Sequence, residues 1–119
     1  MLNNDTIYIK VSQTTFAVKL DSIIYMEKRR RQIIVHMADA DDICFYGKYD
    51  AVMPFLDRRF AHPHQSYVIN MEMIFRLGNH EVVLLGGSRI RMGTKCFACM
   101  KKAYDAFVAE RIGCMRADR

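Results

Sequence analysis

Apolar and polar positions alternate with a period of two along the first third of the chain. Ile7, Ile9 and Val11 share one face of residues 6–11 and Tyr8 and Lys10 share the other, the pattern of a half-buried strand. Gln13-Thr14 reads as a short turn. Phe16, Val18 and Leu20 then alternate again over Thr15–Leu20, until Asp21-Ser22 breaks the run. Ile23–Glu27 is almost continuously apolar, and Gln32–Met37 is its expected hairpin partner. Past the acidic turn Ala38–Asp42, Ile43–Tyr46 is one more short strand.

After Gly47 the period lengthens. Tyr49, Val52, Met53, Phe55 and Leu56 fall at near-helical spacing, which predicts a helix of two or three turns with Asp50 as N-cap and Pro54 in or just beyond the first turn. Phe60–Ser66 reads as a rigid loop, because His62 precedes Pro63 and is held extended. Gln65 and Ser66 sit at its tip, Tyr67-Val68-Ile69 is a β-favouring run entering the core, and Asn70 ends that run. A brief strand over Glu72–Arg76, a turn at Gly78-Asn79 and a strand over Glu81–Leu85 follow. Gly86-Gly87 predicts a two-residue hairpin turn at positive φ. In the return strand Ser88–Met92, Ile90 and Met92 point inward and Arg89 and Arg91 outward. Thr94 is the expected N-cap of a last helix, with Phe97, Met100, Tyr104, Phe107 and Val108 on its apolar side and Gly113 as its stop.

The sum is about eight or nine short strands. The fold expected is mainly β: an elongated single domain of small antiparallel β-sheets with one short middle helix and a longer C-terminal helix. It spans residues 1–119, with a core over about 6–104 and a helical extension over about 95–112.

At 119 residues, 51% of them hydrophobic, the chain is long enough for one core and too apolar to be disordered. It has no apolar run of the roughly 20 residues that would cross a bilayer, and Met1–Asp5 lacks the charged and apolar regions of an export signal. No membrane association and a cytoplasmic location are therefore expected. In that compartment Cys44, Cys96, Cys99 and Cys114 are expected as reduced thiols, and Cys96-x-x-Cys99, inside a helical pattern and without a second such pair, is expected to hold no metal.

Catalysis is not expected, nor is any cofactor. The four histidines and the carboxylates are scattered, His36 sits in a strand pattern where a histidine is usually structural, and no phosphate loop, nucleophile elbow or helical zinc pair occurs. Charge points elsewhere. The net charge is +5, which favours a polyanionic partner. Lys28-Arg29-Arg30-Arg31 form one hairpin tip without the Gly, Asn or Asp that turns recruit, and such like charges repel unless an anion offsets them. Gln65 and Ser66, with Arg58 and Arg59, form a second group, and Arg89, Arg91, Thr94 and Lys95 a third. Long cations on loop tips suit phosphate neutralisation and contacts to guanine, while glutamine suits adenine or the minor groove.

The spacing Phe60-x3-His64-x-Ser66-Tyr67-x2-Asn70 resembles the hallmark of the LytTR family, the DNA-binding effector domains of many bacterial response regulators in two-component systems. Ile23–Glu27, Phe45-Tyr46-Gly47 and the hairpin Val82–Gly87 with the basic turn after it extend the resemblance over residues 6–104. It implies small antiparallel sheets, loops entering successive major grooves of double-stranded DNA, and two copies, as a homodimer on DNA, bound to direct repeats. It implies further that Arg29–Arg31 form one groove loop, that Lys95 stands where an arginine is common in the other, and that Gln65 touches DNA, with His64 and Asn70 mainly structural. His62 and Gly93 depart from the family pattern, as do Pro54 and the long last helix. A receiver domain or kinase would act upstream and is not in this chain, which reads as a stand-alone regulator or an effector domain alone. The DNA-binding set expected is thus Lys28, Arg29, Arg30, Arg31, Gln65, Ser66, Arg89, Arg91, Thr94 and Lys95. The alternative is a protein-interaction module docking a regulatory partner through the Met100–Phe107 face of the last helix, and a thiol or metal protein using Cys96 and Cys99 is third.

Overall fold

Val68 and Ile69 are neighbours, both are fully buried, and they belong to different hydrophobic clusters. Successive side chains of a strand point to opposite faces, so this strand has a core on each side. It is the fourth member of a five-stranded antiparallel sheet ordered β5-β4-β3-β7-β6, made of β3 (Ile23–Arg29), β4 (Gln32–Met37), β5 (Ile43–Tyr46), β6 (Phe60–His64) and β7 (Tyr67–Asn70). The computed structural model describes residues 5–111 and 113–117.

On one face lie the hairpin β1 (Thr6–Val11) and β2 (Thr14–Lys19) and the single-turn helix α1 (Tyr49–Val52). Ile7, Ile9, Val18 and Val52 pack there against Met26, Ile33, Val35 and Val68. On the other face lie the antiparallel sheet β8 (Ile74–Gly78), β9 (Glu81–Leu84) and β10 (Arg89–Arg91) and the helix α2 (Thr94–Ala109). Leu84, Ile90, Met92 and Met100 pack there with Ala61 and Ile69. The molecule measures 54 × 36 × 24 Å. It is mainly β, as the alternating pattern implies.

Several local expectations change. Residues 60–64 are a strand and not a loop. Proline is tolerated because β6 lies at the sheet edge and its pairing with β7 is irregular between Ala61 and His64, where a missing N–H breaks no ladder. Residues 71–73 form a 3₁₀ turn before β8, so that strand starts at Ile74. Asp50 does not cap α1: Lys48 holds the N-cap position with no side-chain bond, and Pro54 sits in a 3₁₀ turn, Met53–Phe55, that ends the helix. Thr94 does not cap α2; it is the first helical residue, and the extended Gly93 precedes it. The helix stops at Ala109, short of Gly113. Gly86 and Gly87 do take positive φ, 97° and 98°, but inside a four-residue loop closed by Leu84 N–H to the Ser88 carbonyl at 2.8 Å.

The apolar side of α2 is occupied. Met100 is fully buried and Phe97, Tyr104 and Phe107 pack on the same cluster, so the face that the interaction-module alternative requires is covered by the domain itself.

Asn70 is the one buried polar side chain among the described residues. Its Nδ2 donates to the Ile23 carbonyl at 2.8 Å, and its Oδ1 accepts from Glu72 N–H at 2.9 Å. One amide thus ties the start of β3 to the end of β7 and shapes the turn into the second sheet. Removing it orphans two backbone groups, each costing about 1–3 kcal/mol when buried. Asn70→Ala is expected to lower unfolding free energy by at least about 1 kcal/mol. Asn70→Asp keeps the acceptor for Glu72 but sets a buried carboxylate oxygen against the Ile23 carbonyl, and is expected to destabilise at least as much as Asn70→Ala in urea denaturation at neutral pH; a variant as stable as the parent would mean that water replaces these bonds.

Candidate nucleic-acid interface

The β3–β4 turn is set by register: Arg29 pairs with Gln32, leaving Arg30-Arg31 as a two-residue tip. Lys28 and Arg29 belong to the strand and not to the tip. Arg30 adopts φ 57°, a left-handed conformation that costs a side-chain-bearing residue about 1–2 kcal/mol. β7 runs antiparallel to β3 with Glu27 opposite Tyr67, which brings the Gln65-Ser66 turn beside Lys28. The Ser66 carbonyl accepts from Lys28 N–H at 2.8 Å and from the Tyr49 hydroxyl at 3.0 Å. His64 Nδ1 accepts from Ser66 N–H at 3.0 Å, which fixes the turn. His64 is therefore structural in the same sense as Asn70.

Three chain segments meet here. Lys28, Arg30, Gln65 and Ser66 line one cleft of about 440 Å³ together with Lys48, Tyr49 and Asp50. Arg31 flanks it, its carbonyl accepting from Gly47 N–H at 3.2 Å. The third expected group lies elsewhere. Arg89 and Arg91 point outward from β10, as the alternation predicts, and Thr94 and Lys95 are exposed in the first turn of α2.

The cations divide by partner. Arg29 binds Glu27 at 3.2 Å, and Arg89 shares Glu81 with Arg76 at 3.0 and 2.8 Å. Arg58 and Arg59 do not join Gln65. They precede β6 while Gln65 follows it, and a five-residue strand spans roughly 17 Å. Arg58 pairs with Glu110, and Arg59, only 18% exposed, pairs with Asp57 at 2.9 Å and Glu72 at 3.6 Å. Burial alone would lower the Arg59 pKa, but the hydrogen bond and charge of Asp57, with Glu72 and Asp21, raise it instead. Arg111 completes this group through Glu72 at 3.3 Å and the face of Phe107 at 3.7 Å. Arg58 and Arg111 thus fasten the end of α2 to the rest of the domain, and Arg59 joins them through Glu72. Among the described residues, Lys28, Arg30, Arg31, Lys48, Arg91 and Lys95 have no carboxylate within ion-pairing distance.

His36 is satisfied where it stands. Its ring stacks on Tyr25 at 4.2 Å, Nε2 lies 2.6 Å from Glu27 and Nδ1 2.9 Å from Asp42. Cys96 is half-buried and Cys44, Cys99 and Cys114 are exposed. Among the described residues no helix is long and apolar enough to cross a membrane.

The family model for the LytTr DNA-binding domain matches residues 13–105. The chain belongs to the LytTR family. Accessory gene regulator protein A from two strains of Staphylococcus epidermidis is 31% identical over 101 residues, covering 83% of this chain and 40% of each relative. The chain thus spans about two fifths of the length of the curated relatives it matches. A solved structure, the LytTr DNA-binding domain of a Bacillus cereus protein described as a methyl-accepting/DNA response regulator, superposes with a TM-score of 0.69 at 13% identity, over 83% of this chain and 95% of that one. That likeness bears on the fold alone.

Three residues of this LytTR cleft are missing from the set expected from sequence, Lys48, Tyr49 and Asp50. Tyr49 shows only its apolar character in sequence, although its hydroxyl holds the Ser66 turn. Lys48 follows the Phe45-Tyr46-Gly47 segment, and only the pairing of Gln32 with Tyr46 brings it to the basic turn.

Burial, and after it the charges of Glu27 and Tyr67, push the Tyr49 phenol well above its ordinary 10.0. It therefore stays a neutral donor to Ser66. A raised folded-state pKa gives a stabilisation that is complete below the unfolded value and is lost as pH climbs past it. Unfolding free energy is expected to decline above about pH 10, and Tyr49→Phe to flatten that decline while costing about 1 kcal/mol at neutral pH. Urea melts at neutral pH and above pH 10 check both; equal slopes for the two proteins would remove Tyr49 from this account.

Proposed function

We propose that this LytTR domain binds double-stranded DNA sequence-specifically as the effector part of a bacterial transcription regulator in the cytoplasm. The observation that carries the proposal is the sorting of charge: among the described residues Lys28, Arg30 and Lys48 beside the Gln65-Ser66 turn and Lys95 at the start of α2 lack acidic partners, while Arg58, Arg59 and Arg111 around the far end of α2 have them. Unpaired cations are those that neutralise phosphates without first breaking an ion pair. The family is one of DNA-binding domains and not of enzymes.

In this reading the Arg30-Arg31 turn meets one major groove, with Arg31 in the groove and Arg30 at its phosphate edge, and Lys95 enters the next, with Gln65 touching a base or sugar between them and Ser66 and Thr94 offering hydroxyls to the backbone. Arg91 and Lys28 contact phosphates. Arg29 and Arg89, held by Glu27 and Glu81, serve mainly to position the loops. Two copies would occupy direct repeats as a homodimer on DNA, under the control of a receiver domain or kinase outside this sequence. The left-handed Arg30 supports the proposal. Glycine would sit in that conformation without strain, so arginine there favours charge over stability.

Arg30→Ala with Arg31→Ala is expected to weaken binding at least about tenfold, the loss of two phosphate or base contacts, without lowering the melting temperature. Arg30→Gly is expected to keep or raise the melting temperature and still weaken binding. Fluorescence polarisation on sequences selected from a genomic-fragment pool, at two salt concentrations, reads both effects. Unchanged affinity in the double variant would take this turn out of the interface.

A further inference from the structure

Lys48 belongs to none of the loops so far given a role. It sits between β5 and α1, is exposed, and lines the same cleft as Lys28 and Arg30. Its neighbour Tyr49 is buried and hydrogen-bonded to the Ser66 carbonyl, which also holds Lys28 N–H. The backbone carrying Lys48 is therefore fixed relative to both turns. Three cations from two segments, the β3–β4 hairpin and the β5–α1 junction, converge on one space against a single carboxylate, Asp50. None of the three has an acidic partner among the described residues. A solvated surface lysine needs no such convergence, and an open cleft of about 440 Å³ readily admits a phosphate group.

We propose that Lys48 is a further DNA contact: together with Lys28 and Arg30 it seats one backbone phosphate in the cleft between the β3–β4 turn, the β5–α1 junction and the β6–β7 turn. The proposal rests on the DNA-binding reading and extends it. A phosphate contact is blind to sequence, so Lys48 contributes affinity and registration of the loops, and Gln65 and Arg31 read the bases beside it.

The test uses a labelled duplex of mixed sequence, so that no operator is needed, with affinity measured across a salt series. Each phosphate neutralised contributes about −0.9 to the slope of log affinity against log salt. Lys48→Gln is expected to make that slope shallower by about 0.9 and to weaken binding equally on mixed and selected sequences, with an unchanged melting temperature. Lys48→Arg is expected to restore the slope, and Lys48→Glu to weaken binding further. An unchanged slope in Lys48→Gln, alongside weakened binding by the Arg30→Ala, Arg31→Ala variant, overturns the Lys48 contact alone. A loss confined to selected sequences overturns it as a phosphate contact. If the parent protein binds no duplex at any salt concentration, the DNA reading falls and this inference with it.

Discussion

The domain depends on one short strand. β7 has only four residues, about 13 Å of chain, yet it is buried on both faces. Its last residue, Asn70, supplies the side-chain hydrogen bonds that join the central sheet to the turn into the second one. Just before its first residue, the Ser66 carbonyl accepts from β3 and from Tyr49. Register leaves little choice in this arrangement. A slip of one residue would send Val68 and Ile69 to the wrong cores and take Asn70 away from Ile23. The polar turn at Gln65-Ser66 is thereby placed with the precision of a core, although it lies at the surface.

The distribution of charge follows from the same geometry. Glu72 lies just beyond β7, where it holds Arg59 and Arg111, and Glu110 at the end of α2 holds Arg58. Exposed pairs of this kind are each worth little. Their effect is on distribution: they neutralise the end of the molecule where α2 is fastened, while the closest grouping of unpaired cations among the described residues is at the Ser66 end. A net charge of +5 spread evenly would attract any polyanion weakly. Concentrated on a few fixed segments, the same charge gives a directional field that steers and orients an approaching helix of phosphates.

The elements were legible in sequence wherever periodicity alone determines them. The alternation in β1, β2 and β10 and the apolar stripe of α2 each reflect one buried face, and side-chain order reports that directly. Legibility failed where tertiary context decides. Pro63 marks a loop by its own chemistry and a strand only because β6 is an edge. Thr94 and Asp50 have the right chemistry for caps but fall one or two residues inside their helices. Arg58 and Arg59 lie close to Gln65 in sequence and are separated from it by the length of β6. Lys48 shows the opposite limit, since its place at the cleft depends on the pairing of β5 with β4. Of the candidate site, the turn charges and Gln65 could be read directly; which arginines are already engaged by carboxylates could not, because Glu27 and Glu81 reach them only once the chain is folded.

Arg30 shows why this end of the molecule is built as it is. The tip of a two-residue hairpin is a place for glycine or asparagine, and Asn79, at φ 53° in the β8–β9 turn, shows the same chain using a suitable residue elsewhere. At Arg30 the backbone is held left-handed by the β3–β4 ladder on both sides, so the strain is met by pairing that is already formed and does not distort the strands. A rigid tip loses little conformational freedom when a ligand binds, and part of the ordering cost of binding has then been met in folding. The guanidinium of Arg30 is thus presented from a fixed base, beside lysines fixed in the same way by the Ser66 carbonyl. Such a surface is least stable alone, where like charges face one another, and gains most when an anion enters among them.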